Sequence, residues 1–497
     1  MSEPIIIPED DLPDWMRLAR RGIDRGILIV IVLSLAMGWS FLVYPGLPRT
    51  NATESYVFRT VDTVAAFQEG RLYPRWSPHA LNGFGAPIPH YYPPAAPYIA
   101  ALIDVLFTND PVLAIRLLYA AALCLAGTLV YALVMRRVDA GTGILAAVLY
   151  VYSPFVGLFV PHVMGDLSGM MALALVPLLL WAVNRQLQTE NPIDFFFTAL
   201  ATTALLLTQP IYLLAAWLLV GVLFGVHWWE RQPMQRTAMA LFAGGVGVML
   251  AAFYWLPVLA EYSAVRWLPN PIQVVSPRIT LASLFQPAQQ LDPAALLPAV
   301  APTLGVTTWL YAVGGGVVLA WLKPKSPFQI GFLGMGCVTI GVALFFTPEW
   351  VWLMGISTLC LAIGGSSSLH IRQRLTTTKG RLFLAVLLML VILLSIPVWM
   401  GQNRYDDFGS VNPAEQVKFE QQGFGIAVLP AGSPVPSSLA TDIVANRVLI
   451  NGYLTGIINR LTEDPRLQNQ ASVLLEGTHN HRFQLQEEQI GNITVLN

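Results

Sequence analysis

Long apolar runs recur along most of this chain and constrain its fold more than any motif does. A spanning helix needs roughly 20 mainly apolar residues. About eleven stretches approach that length, at 27–44, 112–134, 142–160, 167–183, 195–208, 211–227, 238–259, 303–322, 328–346, 350–363 and 382–400. The fifth and tenth are short and read as tilted or re-entrant. Only 11% of the 497 residues are charged and 55% are hydrophobic, whereas soluble domains carry about 25% charged residues. The expectation is an all-α polytopic membrane protein whose bilayer-embedded part is a bundle of about eleven transmembrane helices.

Composition excludes several function classes. A formal net charge of -1 and the lack of a basic run leave no nucleic-acid footprint. Cys124, Cys337 and Cys360 all lie in apolar segments, with neither metal-ligand spacing nor a disulfide pattern. No small-residue cleavage site follows the first apolar run, which is read as a retained anchor.

Sidedness follows from Lys and Arg in short loops. Arg17, Arg20, Arg21 and Arg25 precede the first span. Arg136, Arg137, Arg185, Arg231, Arg236, Lys323, Lys325, Arg372, Arg374, Lys379 and Arg381 fall in alternate loops after it. Eleven spans put all of them on one side, with a cytoplasmic N-terminus and an extracytoplasmic C-terminus. The division is then a tail over 1–26, a multi-pass domain over 27–400 with an outer loop at 46–111, and an outer domain over 401–497. Short apolar runs at 425–430, 447–450, 471–476 and 492–497 read as strands, and 454–461 suits a helix, so that last part is expected to be a small α/β domain.

The outer loop is the richest stretch for chemistry. Asn51-Ala-Thr-Glu54 reads as a helix start, with Asn51 as N-cap and Glu54 three positions on, and Gly70 as its stop. Val57, Val61, Val64 and Ala65 share one face of the helix between them. Glu54, Phe58 and Asp62 share another, with Arg59 in pairing reach of Asp62. This suits a helix on the outer membrane surface, apolar face down, with its acids offered to a cavity. Arg71, Arg75 and His79 suit an anionic headgroup or serve as interfacial anchors. Trp76, Tyr91 and Tyr92 suit an aromatic belt.

In the second outer loop Asp166 either caps the helix that follows or, with His162, faces the first loop across a cavity. There, with carboxylates of the first loop, the two would hold a divalent cation such as Mg or Mn. Glu261 and Arg266 close the outer end of FYWLPVLAEYSAVR.

EGRLYPRWSPHALNGFGAPIPHYYPP in the first outer loop, GDLSGMMALALVP opening the fourth span, LLLTQP closing the fifth and FYWLPVLAE after the seventh occur in that order. On these motifs, over roughly 27–322, the chain resembles a family of bacterial and archaeal membrane proteins. It carries the label 6-pyruvoyl-tetrahydropterin-synthase-related membrane domain and is akin to GT-C and YfhO-like glycosyltransferases. The family's acidic residue and two histidines around the helix start are replaced here by Asn51, Ala52 and Tyr56, leaving Glu54 as the nearest acid. The chemistry behind the pterin label asks for a histidine zinc site, but His79, His162, His227 and His370 divide between opposite membrane sides.

The resemblance implies a GT-C-like bundle and sugar transfer from a polyprenyl-phosphate donor at the outer face, to a glycan, lipid or protein acceptor. Glu54, Asp62 and Asp166 would be the catalytic acids. Arg71, Arg75, Trp76, His79, Tyr91 and Arg266 would line the substrate site, and Asp166 with His162 would hold the cation. Two other readings stay open: a lipid or glycan carrier, and a GT-C-shaped scaffold without catalysis. Nearly charge-free span centres weigh against the carrier.

Overall fold

Asp110 caps, and Pro111 opens, the longest helix among the described residues. The Asp110 carboxylate accepts from the backbone N–H groups of Val112 and Leu113, and proline at the first position lacks the N–H that would go unpaired there. Side-chain caps likewise start the helices after Asp139 and Asn191, the second of which also opens on proline. The computed structural model describes residues 24–400 except 49, 51, 78–86, 190, 262–278, 290, 292–299, 322–325, 346–350 and 373–376. Beyond 400 it describes 405–406, 428–429, 472–474, 487–490 and 493–496.

The helices in chain order are α1 (Arg25–Met37), α2 (Trp39–Val43), α3 (Thr53–Gln68), α4 (Ile88–Tyr91) and α5 (Ala95–Ile103). Next come α6 (Pro111–Arg137), α7 (Ala140–Val151), α8 (Leu167–Gln188), α9 (Pro192–Thr208) and α10 (Pro210–Trp229). Then follow α11 (Met234–Leu250), α12 (Ala252–Ala260), α13 (Leu281–Phe285) and α14 (Gly305–Trp321). The last are α15 (Pro327–Phe345), α16 (Leu353–Gly365), α17 (Thr378–Leu394) and α18 (Ile396–Met400). π-helical stretches extend α5 over Asp104–Thr108 and continue α7 over Phe155–Met164.

Each of the apolar stretches read from the sequence is mainly helical in its described part. Among the described residues, six helices are long and apolar enough to cross a membrane, or up to seven if the pair α11–α12, bent by 69°, is one span. The chain is a multi-pass membrane protein, and the count of eleven goes beyond what these helices establish. One apolar helix, Ala95–Thr108, lies where the sequence reading had only outer loop.

The centre of the bundle is α7 with its π-helical continuation, a span buried on every side. A helix apolar all round belongs in a core rather than at a lipid face. It packs against α6, which in turn packs against α8. The lipid-facing rim consists of helices that keep large apolar side chains exposed, such as Leu214 and Leu218 of α10, Phe242 of α11 and Val313 of α14.

Strand β1 (Leu47–Pro48) pairs antiparallel with β2 (Tyr405–Asp406), which ties the start of the first outer loop to the chain just after the last helix. The strands β3 (Val428–Leu429), β4 (Ser472–Leu474), β5 (Glu487–Ile490) and β6 (Ile493–Leu496) form a sheet in the order β3-β4-β6-β5. Its β4–β6 pair is parallel and the other pairs are antiparallel. The strand expected at 447–450 and the helix expected at 454–461 lie outside the described residues.

Candidate functional site

The helix of the first outer loop, α3, runs from Thr53 to Gln68. Its N-cap position is Ala52 rather than Asn51, which lies outside the described residues. The capping atom is instead the Thr50 hydroxyl oxygen, which accepts from the N–H of Thr53 at 3.0 Å and of Ala52 at 3.4 Å. At the other end Gly70 has φ +78°. Gly70 N–H bonds the carbonyl of Phe67 and Arg71 N–H that of Ala66, a Schellman ending that glycine makes accessible.

Val57, Val61 and Val64 are buried, but so are Tyr56, Phe58 and Asp62. The expectation of a helix lying flat with one polar face open is therefore corrected. Helix α3 is packed against α5, a helix the sequence reading did not expect, and against α6.

The first turn of α3 meets the start of α8. Tyr56 donates its hydroxyl to Asp166 Oδ1 at 2.6 Å, and its oxygen accepts from Ser168 N–H at 3.3 Å. Asp166 Oδ1 also accepts from Gly169 N–H at 2.9 Å as the N-cap of α8. Asp166 thus caps its helix and bonds Tyr56 of the first outer loop. Gly165, at φ +65°, lets the loop turn here, and a Cβ on it would overlap the Thr50 hydroxyl that holds α3.

Asp166 keeps part of its surface open, yet burial raises its pKa above the usual carboxylate value. The Tyr56 hydroxyl, the Gly169 N–H, the Arg59 charge and the Ser168 N–H pull it back down. Burial, aided by the neighbouring Asp166 charge, pushes the Tyr56 phenol well above its ordinary value, so Tyr56 is a fixed donor at neutral pH.

Arg59, one helical turn on from Tyr56, lies over the ring of Tyr92 with its guanidinium carbon 4.2 Å from the centroid, and 5.8 Å from that of Tyr56. Such a stack holds a cation on two aromatic faces while its N–H groups remain for an anion. The sequence reading saw Arg59 only as a partner for Asp62. The missed signal was spacing: Tyr56 and Arg59 stand three apart on one helical face.

A second contact joins the first loop to the end of α12. Tyr91 donates to Glu261 Oε2 at 2.7 Å, and the His90 ring lies 3.1 Å from the same oxygen. These two hydrogen bonds, Tyr91 first, hold the Glu261 carboxyl below its usual range, with the His90 and Arg75 charges adding to them. Tyr254 of α12 donates to the carbonyl of Tyr91 at 3.3 Å.

The remaining expected residues divide. Asp62 is buried and accepts from the Ser77 hydroxyl. Arg71 is exposed and pairs with Glu69. Arg75 is exposed, 5.5 Å from the Tyr73 ring centroid, and Trp76 is half exposed. His162 is buried and stacked on Phe41, ring centroids 5.0 Å apart. Glu54 lies in the first turn of α3, but its side chain, like His79 and Arg266, is outside the described residues.

Mg or Mn seeks about six oxygen ligands. Among the described residues no three His, Cys, Asp or Glu side chains converge. Asp166 Oδ1 is already committed to two donors and His162 lies against Phe41. Asp166 with His162 does not by itself fit such an ion.

The family model for dolichyl-phosphate-mannose-protein mannosyltransferases matches residues 91–256, about a third of the chain, from Tyr91 through Asp166 to Tyr254. It supports the GT-C membrane glycosyltransferase family. One relative, an uncharacterised protein of Lactococcus lactis subsp. cremoris (strain MG1363), is 24% identical over 246 residues. The match covers 46% of this chain and 39% of the relative, so the chain spans well under half of that protein's length.

Solved structures give looser likenesses. The apo oligosaccharyltransferase of Archaeoglobus fulgidus is 13% identical, with 80% of this chain and 59% of that one covered, at a TM-score of 0.48. The mycobacterial arabinofuranosyltransferase AftD is 14% identical, with 76% and 27% covered, at 0.49. ArnT of Cupriavidus metallidurans, bound to undecaprenyl phosphate, is 12% identical, with 92% and 80% covered, at 0.39. At these scores the likenesses carry no weight for function.

Proposed function

We propose that this protein is a GT-C type glycosyltransferase that moves a sugar from a polyprenyl-phosphate-linked donor at the extracytoplasmic face of the cell membrane. The observation that carries the proposal is the meeting of Tyr56, Arg59 and Asp166 where α3 docks on the start of α8. A carboxylate raised above its usual pKa and a guanidinium braced on an aromatic ring are brought to one place. Transfer needs both kinds of group. A carboxylate takes the proton of the acceptor hydroxyl as its oxygen bonds the anomeric carbon, and the bond from that carbon to the phosphate oxygen breaks with its electron pair on the phosphate. The guanidinium then offsets the charge gathering on the leaving phosphate.

Asp166 and Glu54 are the candidate bases, with Asp62 the acid behind them and Arg59 the phosphate partner. Arg71, Arg75, Trp76, His79, Tyr91 and Arg266 remain proposals for the donor's surroundings. A cation completing the site would draw on residues other than the Asp166–His162 pair. The N-terminus is proposed to be cytoplasmic and the C-terminal region extracytoplasmic. The finer label of the tetrahydropterin-related family rests on the loop motifs alone.

The test is transfer by the purified protein from a polyprenyl-phosphate sugar. Glu54→Gln and Asp166→Asn should each reduce it at least a hundredfold with expression and insertion unchanged. Wild-type transfer by both would refute the acids as the working groups. One observation favours a non-catalytic scaffold: Asp166 Oδ1 is already occupied as cap and tyrosine acceptor. In that case both variants would leave the cellular phenotype intact while Tyr56→Phe, which loosens the docking, would not.

A further inference from the structure

Helix α12 has no part in the proposed transfer, yet it grips the segment that supplies the ring beneath Arg59. That ring belongs to Tyr92, the first residue after α4. Helix α4 is a single turn of four residues, and a lone turn costs more chain entropy than its few hydrogen bonds offset. Contacts from outside the turn therefore set its orientation.

Three such contacts come from α12 and the residue that ends it. Glu261 Oε2 accepts from the Tyr91 hydroxyl at 2.7 Å and lies 3.1 Å from His90 Nε2. The Tyr254 hydroxyl donates to the carbonyl of Tyr91 at 3.3 Å. Tyr91 is thus held by side chain and main chain together. The His90 and Tyr91 rings stand at 72° to each other with centroids 4.7 Å apart. Bonding both to one oxygen fixes the rotation of the turn as well as its position. Nearby, Phe253 of α12 packs edge-on against Tyr73 of the first outer loop, with centroids 5.4 Å apart.

The peptide group between Tyr91 and Tyr92 is held at both ends. Its carbonyl accepts from Tyr254, and its N–H, that of Tyr92, bonds the carbonyl of Ile88 at 3.0 Å. A peptide group is planar, so these two bonds fix the plane from which the Tyr92 side chain departs. The ring of Tyr92 in turn lies 4.2 Å from the Arg59 guanidinium carbon. A continuous path therefore runs from α12 through Tyr91 and Tyr92 to Arg59 on α3.

We propose that Glu261 is a positioning residue: through Tyr91 it sets the Tyr92 ring that braces Arg59, so that α12 determines where the donor's phosphate is held. The step from Arg59 to phosphate rests on the function proposed above, and the steps from Glu261 to Tyr92 do not.

The experiment compares full-length protein in detergent as wild type, Glu261→Ala, Glu261→Gln, Tyr92→Leu and the double variant Glu261→Ala, Tyr92→Leu. Hydrogen-exchange mass spectrometry of a peptide covering 88–98 reads the positioning without any transfer. Exchange there should quicken about fivefold in Glu261→Ala, the factor that accompanies one lost hydrogen bond. Glu261→Gln keeps an acceptor oxygen and should stay near wild type. Glu261 is exposed, so the thermal midpoint should hold in both. Transfer kinetics read the consequence. Glu261→Ala should change the same constant, KM or kcat, that Arg59→Gln changes, and should add nothing once Tyr92 is leucine. Unchanged exchange in Glu261→Ala, wild-type kinetics beside quickened exchange, or full additivity in the double variant would overturn the proposal. If the wild type transfers no sugar from any polyprenyl-phosphate donor, the proposed function fails, and the exchange result alone decides whether Glu261 positions Tyr92.

Discussion

Tyr56 and Asp166, 110 residues apart in sequence, are joined by a 2.6 Å hydrogen bond from the phenol to Oδ1. That bond seats the helix of the first outer loop on the first turn of α8, and it stands where the family resemblance would have a histidine rather than a tyrosine. Removing the phenol tests it directly. Tyr56→Phe should lower stability by about 1–2 kcal/mol, the worth of a hydrogen bond to a carboxylate discounted for the part of Asp166 that is open. Thermal or denaturant unfolding in detergent measures it.

The same substitution should shift the pH dependence of transfer. Burial raises the Asp166 pKa and the Tyr56 hydroxyl lowers it. Without that hydroxyl the carboxylate takes up its proton at a higher pH. If Asp166 works as a base, the acid limb of the rate profile moves to higher pH in Tyr56→Phe. An acid limb that stays in place in the variant speaks against Asp166 as the titrating group.

Asp166→Asn separates structure from chemistry, because asparagine caps a helix about as well as aspartate does. The variant should fold and lose transfer. Its stability should also depend less on pH. The folded-state pKa of Asp166 lies above the unfolded one, so this group's contribution to stability is fully present below the unfolded pKa. It is lost as pH rises through the folded value. Melting curves across the acid range should therefore fall less steeply with pH for Asp166→Asn than for the wild type.

Arg59→Gln should raise KM for the donor more than it lowers kcat if the guanidinium holds phosphate in the ground state, and lower kcat if it acts on the leaving group. Arg59→Lys should recover only part of either loss, since an ammonium lacks the planar stack on Tyr92 seen at 4.2 Å. Steady-state kinetics on the three proteins would distinguish these outcomes.

Gly165→Ala should be among the most damaging single changes in this region. A Cβ there meets the Thr50 hydroxyl, and the backbone sits at φ +65°. A cost of about 1–3 kcal/mol is expected from the strained conformation alone, with a lower melting midpoint and looser docking of α3.

The apolar periodicity and the C-terminal end of α3 were legible in the chain itself, whereas its start, expected at Asn51, has Ala52 at the cap position and is held by Thr50. A span announces itself through roughly 20 consecutive apolar residues, and Gly70 stops α3 through its own positive φ, a local property of glycine. The cap that Asp166 gives α8 could also be stated from spacing, because capping depends on the next three residues alone. Tertiary packing decided the rest. Helix α5 escaped notice because Ala95–Ile103 is too short for a span, and its packing against α3, α6, α8 and α9 is what gives it a role. The pairing of Tyr56 with Asp166 and the stacking of Arg59 on Tyr92 depend on how separate segments meet. Local sequence sets dihedral angles and apolar faces, whereas contacts across a hundred residues are set by which faces the bundle leaves to be buried together.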